Sequence, residues 1–107
     1  MQTKYDTEID NEIVIKNIEK LINQTYKLLP NREEGIDWVA PLETITEELA
    51  GMEFLFGGDF GDKTLALICK LEGLNTYTEE DDFYNFRRTI FECLSLMNEV
   101  KSYVSIR

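Results

Sequence analysis

Apolar residues recur along this chain at spacings of three and four, a period that predicts helices and not strands. The clearest run is 78–104. At about 100° per residue, Phe83, Phe86, Ile90, Cys93, Leu94, Met97, Val100 and Val104 fall on one side of a helix. Tyr84 and Phe91 lie on one flank of that stripe, and Leu96 and Tyr103 on the other. A helix at the edge of a bundle needs one apolar stripe. This one has a stripe and two flanks, so it meets several neighbours or turns one flank to a second protein. Its start is marked by Thr78 and Asp81 at capping-box spacing, with Glu79, Glu80 and Asp82 beside them, where the helix dipole favours acids.

Three further stripes precede it. Ile13, Val14, Ile15, Ile18, Leu21, Ile22, Tyr26, Leu28 and Leu29 predict a helix over 8–29. Thr7 and Asp10 form a variant capping box before it, Pro30 stops it, and residues 1–6 fray. Leu42, Ile45, Leu49, Met52 and Phe56 predict a helix over 38–56. It starts either after an Asp37 cap or at Pro41, the favoured first position. Gly51 lies inside it at a cost of about 1 kcal/mol relative to alanine, and could mark the close approach of another helix. The glycine-rich run 57–62 reads as a turn, and Asp62 as the cap of a helix over 63–74. Leu65, Ile68, Leu71 and Leu74 are its core residues, with Leu67 on the flank, and Gly73 with Asn75 ends it. Short connections between four helices predict an all-α fold, a small up-down antiparallel bundle, as a single helical domain over 1–107.

Composition narrows the function. With 43% apolar and 30% charged residues the chain is globular and not disordered. Its net charge of −10 opposes direct binding to nucleic acid or to an anionic membrane, and favours a basic partner or imitation of nucleic acid. No apolar run reaches the length of a membrane span and no signal sequence is visible, which places the protein in the cytoplasm. The chain has no histidine and two cysteines, so the usual zinc sets and the histidine-dependent nucleophile arrangements are excluded. Cys69 and Cys93 read as reduced, buried small hydrophobes.

Three local motifs have the residue types of known chemistry. Asp59-Phe60-Gly61 matches a kinase tripeptide without any of the other kinase elements. Counted from Asp59, the twelfth position of a calcium loop is Lys70, so an EF-hand fails. Glu47-Glu48-Leu49, with Glu79 and Asp82 at ExxD spacing, resembles the motifs of the all-α nucleotide pyrophosphohydrolases of the MazG type. That resemblance covers about a dozen residues and implies carboxylates holding magnesium against a nucleotide's phosphates. The third acid of the first motif is replaced by Gly51, and helix capping already accounts for Glu79 and Asp82.

What remains is a surface. Residues 1–30 carry four cations and five acids, 31–63 two and nine, and 64–107 five and seven. The acidic excess sits on the second helix and its loops, beside aromatics. Arg87 and Arg88 are too few for a nucleic-acid footprint and suit local pairing with Asp81, Asp82, Tyr84 or Glu92. The reading is a non-catalytic protein-binding module, an adaptor, subunit or inhibitor, with no cofactor and no metal. Its expected interaction residues are Glu43, Glu47, Phe54, Asp59, Phe60, Tyr84 and Phe91. The partner is another protein, with a basic surface suited to the charge, or a second copy in a homodimer. The alternatives are a phage or mobile-element inhibitor that imitates nucleic acid, and the magnesium-dependent pyrophosphohydrolase.

Overall fold

The computed structural model describes residues 1–106. Among them four α-helices run in order: α1 (Asn11–Glu33), α2 (Val39–Phe56), α3 (Gly58–Glu72) and α4 (Phe83–Ser105). They form an up-down bundle measuring 46 × 19 × 19 Å. Cross-helix contacts fix the directions. Lys20 meets Glu48 at 3.1 Å and Asn17 Nδ2 reaches Met52 Sδ at 3.6 Å, so α1 and α2 run antiparallel. Glu19 meets Lys101 at 3.3 Å and Asn11 Nδ2 donates to Val104 O at 3.3 Å, so α1 and α4 do too. Lys70 meets Glu92 at 2.7 Å while Phe60 packs near Tyr103, giving the same relation for α3 and α4. Each helix therefore packs on two neighbours, in the order α1, α2, α3, α4 and back to α1, and the α1–α2 seam is the most sparsely packed of the four.

The core is built from the residues the spacing selects. Val14, Ile18, Leu21 and Leu28 of α1, Leu42, Ile45, Leu49 and Met52 of α2, and Phe86, Ile90, Cys93, Met97, Val100 and Val104 of α4 are all buried. On α3 the buried face is Phe60, Thr64, Leu67, Ile68 and Leu71, with Leu74 just beyond the helix, and Leu65 is half exposed. Of the expected core residues Ile68, Leu71 and Leu74 are buried and Leu65 is not, while Leu67, expected on the flank, is core; Phe60 and Thr64, which precede the first expected core residue, set the phase of the buried face. The same phase puts Cys69 on the outer face; it is free and exposed, and only Cys93 is buried.

Several boundaries also differ from expectation, each for a local reason. Helix α1 continues through Pro30 to Glu33. A proline in the last turn gives up a single hydrogen bond. In return, Arg32 is held at the far end: Nη2 donates to Glu79 O at 2.7 Å, and the guanidinium lies 4.5 Å from the Phe86 ring centroid and 5.5 Å from that of Phe83. At the other end Asp10 caps α1, accepting from Glu12 N at 2.9 Å, in place of the Thr7 box. Residues 1–9 do not fray. They double back through an antiparallel bridge between Gln2 and Glu8, and Lys4 N donates to Leu55 O at 2.9 Å.

Asp37 resolves the start of α2, its Oδ1 accepting from Val39 N at 2.9 Å. The expected turn over 57–62 shrinks to a joint at Gly57 and Gly58, whose φ angles of 58° and 57° strongly favour glycine. Asp59 and Phe60 are therefore already helical. Helix α4 begins at Phe83, after a tight 3-10 turn Glu80–Asp82, and neither Glu79 nor Asp82 makes a side-chain cap bond.

Candidate protein-binding surface

The α1–α2 seam is where this bundle is least complete. Toward the start of α1 it opens into a cavity of about 410 Å³ with Ile13, Val14, Met52 and Leu55 on its walls and Lys16 and Lys20 at its rim. Ile13 is 63% exposed and Leu55 40%. Phe54, 59% exposed, continues the apolar surface round α2, with its ring 5.9 Å from Tyr5 and 4.7 Å from the Lys4 ammonium. The hairpin over 1–9 thus places a tyrosine and a lysine over an aromatic side chain that α2 alone would leave bare. At mid-length Lys20 and Glu48 bridge the seam. Toward the end of α1 the seam opens again, between Gln24, Lys27 and Asn31 on one side and Pro41 and Thr44 on the other.

The outer face of α2 beside this seam carries Ala40, Glu43, Thr44, Glu47, Ala50 and Gly51, all exposed. Glu43 and Glu47 make no ion pair among the described residues. A Cβ placed on Gly51 would meet nothing within 4 Å, so no helix of this chain requires a glycine there.

The other expected interaction residues divide by location. Tyr84 and Phe91 are 71% and 43% exposed on the outer face of α4, with the Arg87 guanidinium 5.4 Å from the Phe91 ring. Arg88 pairs with Glu92 at 3.8 Å. This patch and Phe54 are not brought together: Trp38 against Phe86 sets the starts of α2 and α4 at one end, and Phe54 lies at the other. Of the two flanks of α4, Leu96 and Tyr103 pack against the core while Tyr84 and Phe91 face outward. Asp59 is exposed, on a cavity of about 720 Å³ at the end of the bundle that holds the hairpin. Phe60 is not a surface residue. It is 2% exposed, edge-on to Phe56 with ring centroids 5.2 Å apart, because α3 starts early enough to turn it inward.

The acid pairs of the pyrophosphohydrolase motif are not assembled. Glu48 is engaged by Lys20 in the seam, while Glu79 lies at the start of α4 against Arg32. Among the described residues no group of three or more His, Cys, Asp or Glu side chains could hold a metal ion. The α3–α4 side holds three ionisable side chains displaced from their ordinary values. Lys70 is raised and Glu92 lowered, first by their mutual hydrogen bond, and desolvation pushes the Cys93 thiol up to about 12. All three lie away from the open seam. Among the described residues no helix is long and apolar enough to cross a membrane.

Sequence reasoning missed Ile13 and Leu55. Ile13 was read as core, and Leu55 lay off the α2 stripe. The helical wheel puts each off the centre of its own helix's core stripe, but no signal within one helix shows that the two sides adjoin. The chain matches no protein family, no curated protein and no solved structure.

Proposed function

We propose that this protein is a binding module that works through the α1–α2 face. The observation that carries the reading is the run of exposed apolar side chains Ile13, Leu55, Phe54 and Tyr5 beside an incompletely filled seam. Contiguous apolar surface on a folded chain marks an interaction site more often than isolated exposed residues do. Covering the exposed parts of these side chains contributes on the order of 1 kcal/mol each. The charged side chains around the patch contribute orientation more than affinity.

The test is affinity capture from the native host's lysate, with mass spectrometry of what is retained. Three baits are compared: the wild-type chain, Leu55→Glu, and a Tyr84→Ala/Phe91→Ala variant, each checked for unchanged helicity by circular dichroism. Retention by the wild type and the α4 variant, with loss by Leu55→Glu, is the expected pattern. The reverse pattern would move the working face to α4, and retention of nothing by any bait, together with a chain that stays monomeric at high concentration, would sink the binding reading.

A further inference from the structure

We infer that the occupant of the α1–α2 face is a second copy of this chain, related by a two-fold axis parallel to the bundle. This rests on the binding role of that face and names its partner.

The argument starts from the sign of charge on the two walls. Lys16, Lys20 and Lys27 line the α1 side of the seam, the exposed Glu19 being turned to Lys101 of α4, and the outward side of α2 carries Glu43 and Glu47. Like charges set against each other disfavour an interface, and opposite charges fix its register. A two-fold axis across the helices would place α1 on α1 and α2 on α2, cation on cation and acid on acid. An axis along the bundle instead places α1 of each copy on α2 of the other and leaves every residue at its own height. Those heights are known from contacts within one chain. Lys20 is level with Glu48, its ion-pair partner, and so within one residue of Glu47. Lys27 faces Thr44 across the seam, next to Glu43. Ile13 and Leu55 line one cavity. In the dimer, Lys20 and Lys27 of one copy therefore approach Glu47 and Glu43 of the other, and each Ile13 covers the partner's Leu55. Both seams are used, as an isologous interface requires.

Two further features fit this arrangement. The part of α2 that would lie under the partner's α1 presents Ala40, Thr44 and Gly51, small residues that let two helices approach closely. Lys27, Glu43 and Glu47 lack ion-pair partners among the described residues, so the Lys27–Glu43 contact of a second copy breaks no existing pair, while Lys20 would be shared between its own Glu48 and the other copy's Glu47. Area bounds the class of interface. At a rise of about 1.5 Å per residue α2 is roughly 27 Å long, and two adjacent helices are roughly 20 Å wide, so the face is on the order of 550 Å² in projection. That is below the roughly 800 Å² per partner of a standard stable interface and fits a reversible dimer rather than an obligate one.

Sedimentation velocity of the full chain from about 5 to 500 μM tests this, and the expected result is a reversible monomer–dimer equilibrium. Leu55→Glu should abolish the dimer. Lys27→Glu and Glu43→Lys should each weaken it by about tenfold, and the Lys27→Glu/Glu43→Lys double variant should recover most of the loss, because two inverted pairs replace two like-charge contacts. A monomer at every concentration overturns the inference. So does a dimer that ignores Leu55→Glu or is not restored by the charge swap. A monomeric chain that captures a different protein, in a manner sensitive to Leu55→Glu, overturns the second copy as occupant and leaves the binding role of the face intact.

Discussion

Gly51→Ala is the substitution on which the account of α2 can be judged. Gly51 lies well inside an 18-residue helix, where glycine is less favourable than alanine by about 0.8–1.0 kcal/mol. Its φ is not positive, so alanine adopts the same backbone without strain. The added methyl meets no atom within 4 Å, so neither a clash nor a new contact offsets the backbone gain. The variant should therefore be more stable by nearly the whole propensity difference. For a chain of this size that corresponds to a rise in Tm of roughly 4 °C, and to a urea midpoint higher by roughly 0.5 M. Measurement well below the concentrations at which sedimentation shows a dimer isolates the effect on the fold. An unchanged or lower midpoint would mean that the methyl meets something, and that the outward placement of this side of α2 is wrong. The same variant at high concentration should self-associate more weakly, since the methyl then stands between α2 and the partner's α1. Stability gained in the monomer and lost in the dimer would explain why a glycine sits in an exposed helix with nothing near it.

Three other outcomes follow from the geometry. Phe86 is fully buried, edge-on to Trp38 and under the Arg32 guanidinium, so Phe86→Ala should cost about 3–5 kcal/mol, a large part of a small domain's stability, read by chemical denaturation. A thiol reagent such as DTNB should modify one cysteine of the native chain rapidly and both after unfolding, because Cys69 is exposed while Cys93 is buried with its thiol raised to about 12; a Cys69→Ser variant should be inert until unfolded. The Lys70–Glu92 pair should leave a signature at both ends of the pH range. Glu92 is lowered in the folded state, so its contribution is present above the ordinary glutamate range and is lost as pH falls through the folded value. Lys70 is raised, so its contribution is present below the ordinary lysine range and is lost as pH rises through the folded value. Both groups face solvent, so the difference between wild type and Glu92→Gln near neutral pH should be small and should vanish in 1 M salt, as a denaturation series at two ionic strengths would show.

The bundle itself was legible because its four stripes keep helical period over long runs, and α4 above all presented a stripe that burial reproduces from Phe86 to Val104. The ends were not legible, since they depend on contacts distant in sequence. Nothing near Pro30 announces that Arg32 will be held by Glu79 and Phe86 from the start of α4. Nothing in a polar opening segment announces a hydrogen bond from Lys4 to Leu55. The exposure of Tyr84, Phe91 and Phe54 was legible from the helical wheel, which places each away from its core stripe. Phe60 was misplaced because its exposure depended on where α3 begins. Ile13 and Leu55 escaped because they lie where two helices meet incompletely, and a wheel drawn for one helix does not show its neighbour.

The joint at Gly57 and Gly58 bears on the order in which the molecule assembles. It connects α2 to α3 with a single residue between the two helices, so their pairing closes almost no loop and sacrifices little chain entropy. The α1–α4 seam joins groups as far apart as Asn11 and Val104, separated by 93 positions, and can close only after the intervening chain is arranged. The α2–α3 hairpin is therefore the expected folding nucleus and the α1–α4 seam the last to form. Substitutions at Leu49 or Leu67 should slow folding, whereas substitutions at Val14 or Val104 should mainly speed unfolding, a division that stopped-flow kinetics would reveal.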